Sequence, residues 1–71
     1  MTKYTIYNED SIAVSRPNRL WDVIAWLTDY EQIDHVFSIV NNITMVTVPS
    51  SVIMTEYDQE ECLEAIEQLF N

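Results

Sequence analysis

The stretch that decides the fold is YDQEECLEAIEQLF, residues 57–70, which has the pattern of an amphipathic α-helix. Asp58 and Glu61 have the spacing of a capping box, in which two side chains accept hydrogen bonds from backbone amides of the first turn. Apolar residues then recur every three or four positions, as they do on the buried face of a helix. They are Cys62, Leu63, Ile66, Leu69 and Phe70. The stretch therefore predicts a helix that begins at Asp58 and packs one face on a core.

The segment before this helix predicts an antiparallel meander. Residues 35–40 and 43–48 are rich in apolar and β-branched side chains, which favour strands. Asn41-Asn42 between them tolerates the backbone of a two-residue hairpin turn. A second turn over residues 49–51 would lead into a strand over residues 52–56. The meander therefore has three predicted strands.

Earlier in the chain, the alternation of polar and apolar residues predicts a strand over residues 3–7, and residues 11–15 form either a return strand or a loop. A helix follows, up to about Tyr30, with Ser15 or Asn18 as its N-cap. Its core stripe consists of Leu20, Val23, Ile24 and Leu27. The predicted fold class is therefore α+β. It is one domain over residues 1–71 with the order β(β)αβββα, and both helices pack on one face of an antiparallel sheet.

Composition limits the compartment and the chemistry. Cys62 is the only cysteine, so no internal disulfide can form, and the N-terminus lacks the pattern of a signal peptide. No apolar run approaches the ~20 residues that span a bilayer. We therefore expect a cytoplasmic protein with no membrane partner.

The residues needed for common catalytic and metal sites are missing from the sequence. Glycine is absent, which excludes the phosphate-binding loops that need glycine for close backbone approach. His35 is the only histidine, and one histidine with one cysteine makes a transition-metal site improbable. We expect no cofactor, no metal and no catalytic residue, and hence a protein that is not an enzyme.

The charge of the chain is strongly negative. Twelve acidic residues stand against Lys3, Arg16 and Arg19, which gives a formal net charge of -9. Such a field repels nucleic acid and anionic membranes and attracts basic protein surfaces. We therefore expect a partner with a basic surface. The alternative is that the acidity only keeps the protein soluble or reflects adaptation to salt.

Two groups of residues are candidates for contact with this partner. On the last predicted helix, Glu60, Glu64 and Glu67 share the solvent side, flanked by Asp58 and Glu61, and no lysine follows them. This row could imitate a row of phosphates, or be an ordinary solvated face. On the first predicted helix, Trp26 lies near acidic and aromatic neighbours that suit an arginine-rich surface. These neighbours are Asp22, Asp29 and Tyr30. The alternative is that the tryptophans complete the core, which we expect more of Trp21 than of Trp26.

The predicted sheet carries apolar side chains on both faces. Phe37 and Ile39 alternate with Val36 and Val40, and the next predicted strand repeats this arrangement. Because two helices cover one face, the other face would lie open for a partner or a second copy of the chain. The alternative is a curled sheet that buries both faces.

In size, acidity, absence of paired cysteines and lack of catalytic apparatus, the chain resembles the small acidic inhibitors encoded by phages and mobile elements, the anti-CRISPR and anti-restriction proteins. The resemblance implies a protein of the host cytoplasm that occupies a nucleic-acid-binding surface of a host protein, as a nucleic-acid mimic. It rests on no motif, so it assigns no functional residue. A second hypothesis is a cytosolic adaptor or immunity-type protein that binds a basic partner, as a monomer or as a homodimer through the apolar sheet face.

Overall fold

The computed structural model describes residues 2–29, 35–53 and 59–70. Within these ranges the chain forms a four-stranded antiparallel sheet with helices, which confirms the predicted α+β class. The strands are β1 (Tyr4–Tyr7), β2 (Ala13–Ser15), β3 (Ser38–Asn41) and β4 (Val46–Pro49). The helices are α1 (Leu20–Leu27), α2 (Ser50–Ile53) and α3 (Gln59–Phe70). The strand order is β2-β1-β3-β4, so β1 and β3 are central.

A row of apolar side chains crosses the sheet and forms the base of the core. Ile6 of β1 lies opposite Ile39 of β3, and Ile39 lies opposite Val48 of β4. All three are buried. Because side chains on a strand alternate between faces, this register places the three on the same side of the sheet, where α1 and α3 pack.

The two longer helices bury the predicted stripes. From α1, Val23, Ile24 and Leu27 are buried, and Leu20 is half-buried against them. From α3, the buried residues are Cys62, Ile66 and Phe70. The Phe70 ring lies 5.6 Å from the Tyr4 ring of β1, between ring centroids. The end of α3 is thereby fixed to the central strand.

The predicted start of α1 is wrong. The N-cap residue is Arg19, and its side chain makes no capping hydrogen bond. Asn18 instead accepts a hydrogen bond from the Lys3 backbone amide through Oδ1 at 3.1 Å, and Ser15 belongs to β2. The helix ends at Leu27, earlier than predicted. The Asn18 side chain therefore connects the approach to α1 with the start of β1.

The connection between β3 and β4 is longer than predicted. Asn41 pairs with Val46, which leaves residues 42–45 as the turn instead of two asparagines. Asn41 Oδ1 accepts hydrogen bonds from the backbone amides of Ile43 and Thr44 at 3.0 and 3.3 Å. Met45 has a φ of 62°, in the left-handed region. The Asn41 side chain therefore stabilises the wider turn by binding its free amides.

The predicted third strand of the meander is also wrong where the structure describes it. Residues 50–53 form α2, and residues 54–56 lie outside the described residues. Pro49 ends β4, and as a proline it offers no backbone amide to a strand ladder. The next amide, that of Ser50, donates to the Phe37 carbonyl at 2.9 Å, so the chain is held against the segment that precedes β3.

The N-terminal hairpin forms, with an irregular register. Between Ile6 and Tyr7 the pairing with β2 shifts, and the extra residue, Val14, packs against the core. In the turn, Asn8 Oδ1 accepts the backbone amides of Asp10 and Ile12, each at 3.0 Å. Residues 11–15 are thus a return strand in their second part.

The buried hydroxyl of Ser50 provides a test of this fold. Its Oγ donates to the Val36 carbonyl at 2.9 Å in a buried setting. Ser50→Ala leaves that carbonyl without its donor and should lower the free energy of unfolding by about 1–2 kcal/mol in urea denaturation. Ser51→Ala, at the exposed neighbouring position, is the matched control and should stay within about 0.5 kcal/mol of the wild type. Equal effects of the two substitutions would contradict this role for Ser50.

Candidate functional site

The solvent face of α3 carries the predicted acidic row. Glu60, Glu64 and Glu67 are all exposed, and so is Glu61, while Asp58 lies outside the described residues. At a rise of about 1.5 Å per residue, the row extends roughly 10 Å along the helix axis. The twelve residues of α3 include no basic residue. The helix therefore presents a continuous negative face, which we call the acidic row and define as Glu60, Glu64 and Glu67.

The opposite face of α3 differs from the prediction at one position. Leu63 is half-buried and packs on the core, but Leu69 is 41% exposed. Phe70 takes the core position at this end by stacking near Tyr4. Leu69 therefore adds an exposed apolar side chain to the last turn of the helix.

The burial of the two tryptophans of α1 is the reverse of the expectation. Trp26 is half-buried and packs against the core, whereas Trp21 is 49% exposed. Of the acidic neighbours predicted for Trp26, Asp22 is exposed and Asp29 is half-buried, and Tyr30 lies outside the described residues. The exposed aromatic side chain of α1 is thus Trp21.

Trp21 lines an open cavity that the sequence did not predict. The cavity has a volume of about 520 Å³ and lies where the start of α1 and the end of α3 approach β1. Its lining includes Lys3, Tyr4, Arg19, Trp21, Glu67 and Phe70. We call this cavity the α1–α3 groove. Lys3 and Arg19 are separated in the sequence, so only the fold brings these two cations together.

The outer face of the sheet is neither fully open nor fully buried. Thr5 is buried there, Tyr7 and Val40 are half-buried, and Thr47 is exposed. Ile43 and Met45, predicted on a strand, lie in the β3–β4 turn and are 68% and 73% exposed. The most exposed apolar side chains near the sheet are therefore at the tip of a turn.

Within residues 2–29, 35–53 and 59–70, no group of three or more His, Cys, Asp or Glu side chains could hold a metal ion. No helix in the same ranges has the length and apolar character to cross a bilayer. Cys62 is a buried thiol, and His35 is exposed just before β3.

Comparison with known protein families, with curated proteins and with solved structures finds no match to this chain. The function must therefore be inferred from the surfaces described above.

The different burial of the two tryptophans can be measured by fluorescence quenching. In Trp26→Phe, the remaining Trp21 should be quenched strongly by acrylamide, a neutral quencher that the negative field does not repel. In Trp21→Phe, the half-buried Trp26 should give a Stern–Volmer slope at least about twofold lower, because part of its ring contacts the core. Equal slopes would contradict the assignment of Trp21 as the exposed ring.

Proposed function

We propose that this protein binds a basic surface of a nucleic-acid-binding protein through the acidic row of α3 and blocks access of the nucleic acid. The observation that carries the proposal is the exposure of Glu60, Glu64 and Glu67 on one helix face without any basic residue in that helix. In this reading the chain is an inhibitor of the kind encoded by phages and mobile elements.

The spacing of the acidic row supports this proposal. Successive turns of an α-helix place carboxylates about 5.4 Å apart along the axis, which is comparable with the distance between neighbouring phosphates on one strand. A groove of lysine and arginine side chains that accommodates a nucleic-acid backbone can therefore accept the row. Because such a groove and the row carry opposite charges, long-range attraction would also speed their encounter.

The energetic cost of the row also supports a binding role. Glu60 and Glu64 are four residues apart, and like charges at this spacing destabilise a helix by about 0.2–0.5 kcal/mol. Glu67 lies in the last turns, where the helix dipole disfavours a negative charge. Solubility alone could be achieved with interspersed lysines at no such cost. A surface that must match a basic partner cannot use lysine.

The partner can be sought by competition with DNA. The tagged chain is used to capture proteins from a bacterial lysate, and the captured proteins are eluted with duplex DNA. The proposal expects a purified partner that binds DNA on its own and loses the DNA as this protein is added. A partner that holds DNA and this protein at the same time would contradict the proposed mechanism.

Replacement of two carboxylates tests the acidic row with that partner. Glu60→Gln/Glu64→Gln preserves helix propensity and nearly preserves shape. It should lower the association rate roughly tenfold and flatten its salt dependence, measured by surface plasmon resonance. The matched control, Glu9→Gln/Asp10→Asn, changes the net charge equally in the exposed β1–β2 turn. If both variants slow association equally, overall charge and not the row is responsible.

A second candidate function is an adaptor or immunity-type protein that uses apolar contacts, as a monomer or a homodimer. The exposed Ile43 and Met45 at the tip of the β3–β4 turn favour it. In that case Ile43→Ser/Met45→Ser should abolish binding or dimerisation. Binding should also be nearly insensitive to salt between about 50 and about 500 mM, because the burial of apolar surface is not screened by ions. Analytical ultracentrifugation at both salt concentrations distinguishes this function from the first.

A further inference from the structure

The α1–α3 groove carries the opposite charge from the rest of the chain. Two of the three basic residues, Lys3 and Arg19, line it together with one acid, Glu67. The balance of these side chains is therefore positive in a chain whose formal net charge is -9. In the described part of the chain, Lys3, Arg19 and Glu67 form no ion pair with one another, so their charges are available to a ligand.

The buried side chain of Asn41 also faces the groove, and its amide nitrogen is not used in a hydrogen bond to another described residue. Asn41 lines the cavity and is only 7% exposed. Its Oδ1 is used by the amides of Ile43 and Thr44, which fixes the orientation of the carboxamide. No hydrogen bond among the described residues uses Nδ2. No fully buried side-chain nitrogen or oxygen in the described part of the chain lacks a partner, so Nδ2 is reached by solvent from the groove and can donate to a ligand oxygen there.

The remaining walls of the groove are aromatic. Tyr4 and Phe70 are buried beneath it with their ring centroids 5.6 Å apart, and the exposed Trp21 forms one side. Aromatic walls with a few converging polar groups are typical of sites for small organic ligands, and a volume of about 520 Å³ lies within their usual range. The walls suit a planar or branched apolar body.

We propose that the α1–α3 groove binds a carboxylate attached to an aromatic or branched apolar body. The carboxylate accepts from the Arg19 guanidinium, the Asn41 Nδ2 amide and the Lys3 ammonium, and the apolar body lies between Trp21 and the rings beneath. A cationic ligand is disfavoured, since two cations line the site and the Lys3 Nζ already lies 5.5 Å from the centroid of the Tyr4 ring. This site goes beyond the proposed docking of α3 on a basic surface, because the ligand of the groove is negatively charged.

Nuclear magnetic resonance with 3-phenylpropionate tests the site directly. Titration of the full chain should shift the Asn41 side-chain amide and the Trp21 indole signals, and leave the Trp26 indole unmoved. The neutral analogue 3-phenylpropanamide should produce no such shifts, because it lacks the charge that Arg19 recognises. Absence of shifts at Asn41 and Trp21 with millimolar carboxylate, or equal shifts with the amide, would overturn the proposal.

Three single substitutions assign the recognition to named residues. Arg19→Gln should weaken binding of 3-phenylpropionate about tenfold, and it leaves the start of α1 intact because the Arg19 side chain makes no capping hydrogen bond. Arg16→Gln, exposed and outside the groove, changes the net charge equally and should leave the affinity unchanged. Glu67→Gln should tighten binding by removing a repulsive carboxylate. Equal weakening by Arg16→Gln and Arg19→Gln would overturn the site.

A peptide separates the two natural sources of such a carboxylate. N-acetyl-Ala-Phe offers the same group as the C-terminus of a protein, and its C-terminal amide is the control. Binding tighter than that of 3-phenylpropionate identifies a protein C-terminus as the source, and equal or weaker binding identifies a free organic acid. Both results support a carboxylate site, whereas binding of the C-terminal amide as tightly as the acid would contradict it.

Discussion

The structure depends on the row of side chains formed by Ile6, Ile39 and Val48, which crosses the three paired strands. Ile24 of α1 and Ile66 of α3 are fully buried against this side of the sheet. Truncating one buried isoleucine typically costs about 2–5 kcal/mol, and a domain of this size has only a few kcal/mol of net stability. The residues Ile6, Ile39 and Val48 are therefore required for the stability of the fold, and binding must be carried by the residues around them.

This constraint explains where the two candidate surfaces lie. Because α3 uses Cys62, Ile66 and Phe70 to cover the sheet, its glutamates are forced onto the solvent side. At the end of α3, Phe70 approaches Tyr4, and the start of α1 is tied to β1 by the hydrogen bond between Lys3 and Asn18. The acidic row and the α1–α3 groove are thus two consequences of the same packing, and Glu67 belongs to both.

The sequence predicted those features that periodicity determines. The stripes of α1 and α3 and the strand over residues 3–7 extend over enough residues for their period to be clear. Short apolar runs are ambiguous, which is why residues 52–53 have the pattern of a strand although they belong to α2. The exposure of Trp21 does not follow from periodicity either, because a position on the margin of a helix stripe is buried only if a neighbouring element covers it. The groove could not be predicted, since residues 3, 19, 41 and 67 meet only through the fold.

The absence of glycine connects the turn geometry with the groove. The left-handed position of the β3–β4 turn is occupied by Met45, at a cost of about 1–2 kcal/mol relative to glycine. That turn is held by the Met45 amide donating to the Asn41 carbonyl at 2.7 Å, and by two further amides on Asn41 Oδ1. The same bonds orient the Asn41 carboxamide, so that Nδ2 is the end left for the groove. A strained turn at one end of the sheet thereby fixes the only uncharged donor that we assign to the carboxylate site.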